Sequence, residues 1–505
     1  MSMSPFLPGN IHDQKLVSNI FPADWVNPTP EPMYNLVVVG AGTAGLISAI
    51  ATATLGGKVA LIERQSMGGD CLNVGCVPSK SLIRAARLAA EMRDAASFGL
   101  TPAPVGREDF PQIMERMRRI RVEVSKNDSV QRYAGAGVHV FLGEGVFTGP
   151  GTVAVGGAEL RFRKAVVATG ARAVRPDIPG LEGVGFLTNE TVFNLTKLPN
   201  HLLVIGGGPI GCELAQAFRR VGAEVTIVQS SHFLPREDED ASAILAEVFQ
   251  HEGIRVLLHT KPLGFEHGES GRKRVVLDHD GETMVVETDE ILVGAGRAPN
   301  VQGLGLEAAG VEYDARKGVS VNDHLQTTNR NIYAAGDCCM GWKFTHAADA
   351  AAQIVVQNAL FKGRKKLSSL TMPWCTYTSP EIAHVGMYEG EARSMGLAVD
   401  VFKVNMDEID RALTDGEGQG FVKVMVRKGT GRILGATIVS THAGEMISEI
   451  TTAMVSGAGL GQLAKVIHPY PTQADAIRRV AGLYNKSRLT PLLSKTLKWW
   501  LKIQR

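Results

Sequence analysis

The sequence predicts an α/β fold with two βαβ units and a smaller C-terminal α/β domain. The main observation is a glycine-rich turn between a buried strand and a helix, which occurs at 40–45 and again at 206–211. Strand-like runs then return at 420–426 and 433–440, followed by a helix at 472–483. One such turn is weak evidence, but two in the same setting indicate two Rossmann-like nucleotide-binding domains on one chain.

The composition excludes several classes of protein. The 505 residues are 44% apolar and 21% charged, which is ordinary for a globular protein. A net charge of +2 gives no reason to expect a nucleic acid partner. Six cysteines in so long a chain cannot form the disulfide framework of a small secreted domain. Because no signal pattern or membrane-spanning run is present, we expect a cytoplasmic protein.

The N-terminal segment 1–32 is rich in proline and polar residues. This composition predicts an irregular arm. Its aromatic residues, Phe21 and Trp25, predict that the arm packs onto the body of the protein.

The first βαβ unit follows the arm directly. A buried strand at 34–39 leads into a turn and then an alanine-rich helix at 46–54. A second strand at 58–62 ends at Glu63. The turn residues expected to contact a cofactor are Gly40, Gly42, Ala44 and Gly45. Such a turn lets backbone amides and the helix N-terminus approach a pyrophosphate, and Glu63 would accept hydrogen bonds from ribose hydroxyls. The alternative is an ordinary strand–helix turn.

The second unit has a strand at 201–205, a helix at 213–221 and a strand at 224–228. The turn residues expected to bind its nucleotide are Gly206, Gly208, Ile210 and Gly211. A strict NAD site has an acidic residue where this chain has Gln229. A neutral residue there does not repel a 2′-phosphate, although the nearest arginine is Arg236. NADPH is therefore favoured, and NADH stays open.

Cys71 and Cys76 lie at the mouth of a predicted helix, with four residues between them. This spacing allows the sulfurs to form a small-ring disulfide or to open to a dithiol. A thiolate at a helix N-terminus has a lowered pKa, which makes it a competent electron relay. Lys80 follows one turn later. The alternative is a pair of structural thiols.

The segment 68–80 resembles the redox loop of the FAD-dependent pyridine nucleotide–disulfide oxidoreductases, a family that includes glutathione reductase, dihydrolipoamide dehydrogenase and mercuric reductase. The resemblance covers roughly residues 33–485, with several motifs in the same order. It implies a homodimer with an FAD-binding domain at 33–172 and 299–366, an NAD(P)-binding domain at 173–298 and a dimer-interface domain at 371–485. A basic tail follows at 486–505.

The resemblance also implies roles for individual residues. Cys76 would lie against the flavin as a charge-transfer thiolate, and Cys71 would be the outward interchange thiol. Lys80 would sit near the reactive flavin nitrogen and pair with Glu213. Further cofactor contacts are implied for Gly69, Asp70, Thr169, Gly170, Gly296, Arg297 and Asp337.

The electron acceptor depends on the C-terminal motif. Disulfide-reducing relatives carry His-x-His-Pro-Thr-x-x-Glu, in which the second His protonates the leaving thiolate and the Glu orients this His. This chain has Tyr470 at the position of the second His and Asp475 at the position of the Glu. A phenol, with an ordinary pKa of about 10, is a poor proton shuttle. Hg²⁺ binds two thiolates and needs no proton donor, and Tyr470 also resembles mercuric reductase. Mercuric reductases often carry an N-terminal metal-binding domain and end in a cysteine pair, and we expect this protein to lack both.

We therefore expect an NAD(P)H-dependent flavoenzyme whose acceptor is a thiophilic metal ion, Hg²⁺ or Cu²⁺, held transiently by Cys71 and Cys76. Two alternatives stay open. One is a disulfide or dihydrolipoamide-type reductase. The other is an electron-transfer flavoprotein recruited to a membrane, with a protein or quinone acceptor.

The tail favours that last alternative. From Ala476 to the end the chain has eight lysines or arginines and no acidic residue. On a helix, Lys495, Lys498, Lys502 and Arg505 would share one face, opposite Leu492, Trp499 or Trp500, and Ile503. A basic amphipathic helix with tryptophan is typical of peripheral membrane contact, here through 491–505. The alternative is docking on the dimer or on the N-terminal arm.

Overall fold

A computed structural model describes residues 8–505 as two compact units. Pro5 and the rest of the predicted arm before residue 8 lie outside the described residues. The first unit contains 8–95 together with 101–231 and 254–370. The second contains 96–100, 232–253 and 371–505.

The strands are, in chain order, β1 Tyr34–Val39, β2 Val59–Glu63, β3 His139–Leu142, β4 Val146–Gly149, β5 Thr152–Val155, β6 Ala158–Val167, β7 Ala171–Ala173, β8 His201–Ile205, β9 Glu224–Val228, β10 Arg255–Leu257, β11 Thr260–His267, β12 Lys273–His279, β13 Glu282–Thr288, β14 Glu290–Val293, β15 Arg297–Pro299, β16 Tyr313–Asp314, β17 Gly318–Val319, β18 Ile332–Ala334, β19 Pro373–Thr376, β20 Glu381–Gly386, β21 Val399–Asn405, β22 Phe421–Arg427 and β23 Ile433–Ser440.

The α-helices are α1 Ile11–Ile20, α2 Thr43–Thr54, α3 Gly69–Asn73, α4 Cys76–Arg93, α5 Phe110–Ser125, α6 Val130–Gly135, α7 Leu181–Val184, α8 Pro209–Arg220, α9 Glu239–His251, α10 Thr345–Phe361, α11 Glu389–Ser394, α12 Asp410–Thr414, α13 Ala443–Ser456, α14 Leu460–Leu463, α15 Asp475–Ser487 and α16 Pro491–Ile503.

Among the described residues, the first unit contains two larger sheets and three smaller ones. The largest has the order β3-β2-β1-β6-β5-β4, with β18 added beside β6. Its strands β3, β2, β1, β6 and β18 are parallel. Strands β1 and β2 are almost fully buried, as expected for parallel strands covered on both faces. The smaller parallel sheet has the order β10-β9-β8-β14. A three-stranded antiparallel sheet, β11-β12-β13, lies between β10 and β14 in the chain.

The chain passes between the two larger sheets through two short segments, one after β6 and one after β14. Strands β7 and β15 pair with each other, antiparallel. The Thr169 hydroxyl donates to the Asn300 carbonyl at 2.6 Å, next to this pairing. The predicted FAD and NAD(P) domain boundaries lie close to the pair and remain predictions. Residues 232–253, predicted within the NAD(P) domain, belong to the second compact unit.

The prediction that the N-terminal arm is irregular was wrong for residues 11–20, which form α1. Asn10 caps this helix by accepting from the amides of His12 and Asp13. Leu16 and Ile20 are fully buried. The prediction failed because the segment's polar composition hid a capped helix. The predicted packing is confirmed by Trp25, whose indole donates to the Val140 carbonyl.

The second unit holds an antiparallel five-stranded sheet, β19-β20-β23-β22-β21. Helices α13 and α15 pack on it around one apolar core. Strand β23 has the predicted bounds, whereas α15 begins at Asp475 instead of residue 472. Helices α2 and α8 begin earlier than predicted, at Thr43 and Pro209, because a glycine of each turn is itself the N-cap.

Candidate active site

The first glycine turn brings backbone groups too close together for side chains. A Cβ on Gly45 would lie 1.8 Å from the Gly40 carbonyl oxygen. Gly40 has a φ of +105°, and its Cβ would lie 2.4 Å from the Ala168 carbonyl oxygen. Only glycine fits such positions. The turn therefore gives a ligand direct access to the N-terminus of α2, where Gly42 is the N-cap and Ala44 is buried.

Glu63 holds this turn from the end of β2. One carboxylate oxygen accepts from the Ala41 amide at 2.7 Å, and the other accepts from the amides of Gln65 and Ser66. The side chain is thus fixed at the edge of the turn, where a dinucleotide ribose is expected.

The second turn repeats this arrangement with a neutral residue. A Cβ on Gly211 would lie 2.0 Å from the Gly206 carbonyl oxygen. The Gln229 side-chain oxygen accepts from the Gly207 amide at 2.9 Å, and its amide group donates to Ser231. Gln229 therefore occupies the position that Glu63 has in the first turn. Gly208 is the N-cap of α8 in open space, and Ile210 is 43% exposed.

The cysteine loop is seated on the first glycine turn. A Cβ on Gly69, at the start of α3, would lie 2.7 Å from the Gly42 Cα atom. Helix α4 begins at Cys76, so this sulfur lies at a helix N-terminus as predicted. Both cysteines are free thiols in this structure; Cys71 is half-buried and Cys76 is exposed.

The two thiols have opposite protonation tendencies. The hydrogen bond from Cys71 is the main cause that lowers the pKa of Cys76 to about 6, with smaller contributions from Thr345 and Lys80. Cys71 donates its proton in the hydrogen bond to Cys76, and this bond together with burial raises the pKa of Cys71. At neutral pH, Cys76 is therefore the thiolate and Cys71 the thiol.

Thr345 is a site residue that the sequence did not predict. Its hydroxyl lies 3.4 Å from the Cys76 sulfur, at the first residue of α10. The two residues are 269 positions apart in the chain, and no motif marks the threonine. The local sequence pointed to the position of Thr345 only through the alanine-rich run after residue 344, which is typical of a helix.

Lys80 and Glu213 form the predicted ion pair, with a distance of 2.7 Å between the ammonium nitrogen and a carboxylate oxygen. Lys80 lies on α4 and Glu213 on α8, and the two helices pack against each other. The Glu213 side chain is only 6% exposed. The pair therefore connects the cysteine helix to the helix of the second glycine turn.

Arg297 joins two other predicted residues. Its guanidinium forms ion pairs with Asp70 of the cysteine loop and with Asp337, the latter at 3.4 Å. It also donates to the Ala171 carbonyl at 2.7 Å. Burial raises the pKa of Asp337, and Arg297 opposes this rise. Gly170 and Gly296, in the two connecting segments, both have positive φ.

The C-terminal residues make contacts that the motif did not predict. The Tyr470 hydroxyl donates to Asp410 at 2.9 Å, which raises the pKa of this phenol. Asp475, expected at the place of the orienting Glu, instead pairs with Arg478 and Arg479 at 2.7 and 2.8 Å. The carboxylate that orients Tyr470 is therefore Asp410.

The protein family follows from comparison with known sequences. Residues 34–352 match the family described as "Pyridine nucleotide-disulphide oxidoreductase", and 372–481 match its dimerisation domain. The chain belongs to this family. The dimerisation domain supports a homodimer.

Two curated relatives and one solved structure show the range of the likeness. A mercuric reductase of Lysinibacillus sphaericus is 35% identical over 459 residues, covering 90% of this chain and 83% of the relative. A dihydrolipoyl dehydrogenase of Thermus scotoductus is 34% identical, and the match covers 90% of this chain and 98% of the relative. The solved structure is the Cu(II) complex of the HOCl-induced flavoprotein disulfide reductase RclA from Escherichia coli, which is 29% identical with a TM-score of 0.79. The match covers 88% of this chain and 98% of that chain.

This oxidoreductase family uses FAD and NAD(P)H, and the residues fit both cofactors. Both glycine turns leave a helix N-terminus without side chains in front of it, as a pyrophosphate requires. The first turn adjoins the cysteine loop, so it suits FAD, and the second suits the nicotinamide nucleotide. Among residues 8–505 no helix is long and apolar enough to cross a membrane. No cluster of three His, Cys, Asp or Glu that could hold a resident metal occurs there either.

Proposed function

We propose that this enzyme uses NAD(P)H to reduce a thiophilic metal ion, Hg²⁺ or Cu²⁺, at Cys71 and Cys76. The observation that carries the proposal is the pair of thiols itself, with Cys76 exposed at the N-terminus of α4 and Cys71 beside it. The hydrogen bond from Cys71 lowers the pKa of Cys76 and so favours its thiolate. Thiolates are the ligands that soft metal ions prefer.

The chain's own residues prepare this pair for its acceptor. Helix α4 and Lys80 place positive charge near the Cys76 sulfur, and the Thr345 hydroxyl lies against it. Two-electron transfer from a nicotinamide towards the cysteine pair is the chemistry that FAD supplies when bound. The overall reaction balances as NAD(P)H + Hg²⁺ → NAD(P)⁺ + H⁺ + Hg⁰. For copper, one NAD(P)H reduces two Cu²⁺ to Cu⁺.

Tyr470 favours a metal ion over a disulfide. A disulfide substrate needs a proton for its leaving thiolate, and an efficient donor has a pKa near the working pH. The pKa of Tyr470 is raised because Asp410 accepts its hydrogen bond. A metal ion has no such leaving group. The names of two relatives, a mercuric reductase and the Cu(II) complex of RclA, support the same class of acceptor.

A second candidate function is reduction of a small disulfide such as lipoamide. The observation in its favour is a His468–Glu449 pair, with 3.0 Å between the imidazole Nε2 and a carboxylate oxygen. A histidine oriented by a glutamate is a standard proton donor. The likeness to a dihydrolipoyl dehydrogenase and to a disulfide reductase supports this alternative.

The nucleotide specificity follows from Gln229. A neutral side chain at this position accepts NADPH without repelling its 2′-phosphate, and it still allows NADH. We expect NADPH to be used with the higher kcat/KM.

The test is anaerobic oxidation of NADPH and NADH by the FAD-loaded enzyme with Hg²⁺, Cu²⁺, lipoamide or oxidised glutathione. We expect turnover with a metal ion and slow turnover with both disulfides. Cys71→Ser should abolish metal turnover while NADPH still bleaches the flavin absorbance. The matched control is Cys375→Ser, a half-buried cysteine of the second unit, which should leave turnover unchanged.

Turnover of a disulfide but of neither metal ion would reject the metal proposal and favour the second candidate. His468→Gln would then test the proton donor. Metal turnover that survives in Cys71→Ser would show that electrons leave the enzyme elsewhere.

A further inference from the structure

Helix α16 exposes its whole apolar face. Its large apolar side chains have exposed fractions between 42% and 77%: Leu492, Leu493, Leu497, Trp499, Trp500, Leu501 and Ile503. None of its residues is buried. Seven large apolar side chains on one short helix form a contiguous patch, and such patches on the surface of a protein mark interaction sites.

The charges of this helix lie opposite the patch. At 100° per residue, Lys495, Lys498 and Lys502 fall within one narrow arc, and the tryptophans, the leucines and Ile503 lie outside it. Arg505 adds a fourth positive charge two residues after the helix ends. No acidic residue follows Asp475 in the chain. Within residues 8–505, no ion pair of these four cations is found. The face that flanks the apolar patch is therefore purely cationic.

The helix does not need a partner in order to begin. Thr490 is its N-cap, and its hydroxyl accepts from the Leu493 amide at 3.3 Å. Pro491 occupies the first turn, where a missing amide hydrogen costs nothing. An exposed amphipathic helix is therefore already formed at this end of the second unit.

We propose that α16 lies in the interface of an anionic lipid membrane and recruits the enzyme to it. Lysines and arginines would contact lipid headgroups while the leucines and tryptophans enter the acyl boundary. A second copy of the chain is a poorer occupant, because it would cover the apolar patch and leave the lysines on the opposite side without partners, whereas a membrane interface supplies acyl chains for the patch and anionic headgroups for the lysines. The inference goes beyond the proposed function and does not depend on which acceptor the enzyme uses.

The first experiment is co-sedimentation of the FAD-loaded full chain with phosphatidylcholine vesicles, with and without phosphatidylglycerol. We expect pelleting only with phosphatidylglycerol, and loss of pelleting at high salt. A chain ending at Thr490 should stay in the supernatant. Its flavin absorbance and its NADPH oxidation should match the full chain, which shows that it has folded.

The second experiment tests whether membrane binding requires the lysines of α16 or only the total positive charge of the protein. Lys495→Gln, Lys498→Gln and Lys502→Gln together should lower the partition coefficient about a hundredfold, since each cation contributes about fivefold, or ~1 kcal/mol. The matched control is Lys362→Gln, Lys365→Gln and Lys366→Gln, which removes three exposed lysines of the first unit. The control should bind vesicles like the unchanged protein.

Equal pelleting of the full and shortened chains would overturn the proposal. So would binding that ignores phosphatidylglycerol, or an equal loss of binding in both lysine variants. If light scattering instead shows that the shortened chain changes its oligomeric state and neither chain binds vesicles, the occupant of α16 is a second copy.

Discussion

Asp13 and Arg121 form an ion pair that the first unit buries almost completely. The guanidinium and carboxylate are 2.9 Å apart, and the two side chains are 1% and 2% exposed. Arg121 also donates to the Asn73 carbonyl, at the end of α3 in the cysteine loop. Asn73 in turn donates to the carbonyls of Met67 and Gly69. Helix α1 is thus connected to the cysteine loop through buried polar groups.

Asp13→Asn should therefore destabilise the protein strongly. The substitution keeps a hydrogen-bond acceptor but removes the carboxylate charge that lies 2.9 Å from the buried Arg121 guanidinium. Breaking a buried ion pair in this way costs about 3–5 kcal/mol. Because Arg121 keeps its bond to the Asn73 carbonyl, we expect the lower end, ~3 kcal/mol.

The measurement is the free energy of unfolding by guanidinium, on FAD-loaded protein, together with the rate of cysteine alkylation. Asp13→Asn should lower the free energy of unfolding and raise the rate of cysteine alkylation, because the cysteine loop loses its connection to α1. The control is Glu123→Gln, which breaks the exposed pair of Glu123 with Lys126 on the neighbouring part of α5. This control should change neither quantity measurably. If the two variants are equally stable, α1 does not support the loop.

Two further predictions concern the glycine turn and the thiolate. Gly45→Ala should give protein without bound FAD, because the new Cβ meets the Gly40 carbonyl; Gly183→Ala, in open space, should keep the flavin absorbance. In Cys71→Ala the pKa of Cys76 should rise from about 6 towards 9.0, because its main hydrogen-bond donor is lost. The pH profile of alkylation measures this pKa: the thiolate would then appear only at higher pH, and an unshifted profile would contradict the assigned cause. Lys80→Met should shift the profile in the same direction by less.

Local patterns were enough to predict much of the fold. The bounds of β1, β8, β9 and β23 agree with the predictions, since each is an apolar run with clear ends. The cysteine loop and both glycine turns were found because their chemistry requires fixed spacing within a few residues. The Lys80–Glu213 pair came from the family resemblance and is present in the structure.

Contacts between distant residues could not be predicted in this way. Asp13 and Arg121 are 108 positions apart, and an aspartate in a polar segment gives no sign of burial. Thr345 reaches Cys76 only because α10 begins beside α4. Likewise the motif placed Asp475 beside Tyr470, whereas two arginines on its own helix compete for Asp475. In each case the tertiary structure, and not the local pattern, selects the partner.

The two glycine turns differ in one charge at equivalent positions, and this difference can be tested directly. Glu63 and Gln229 each accept from the amide that follows the first glycine of their turn. Gln229→Glu should therefore keep the bond to Gly207, accept from the Ser231 hydroxyl instead of donating to it, and add a negative charge near the ribose. We expect kcat/KM for NADPH to fall about tenfold or more, because a nearby like charge costs on the order of 1–3 kcal/mol, while kcat/KM for NADH is kept or rises. The matched control, Gln229→Met, removes the bond without adding charge and should weaken both nucleotides alike. An equal loss for both in Gln229→Glu would mean that this residue shapes the turn and does not select the nucleotide.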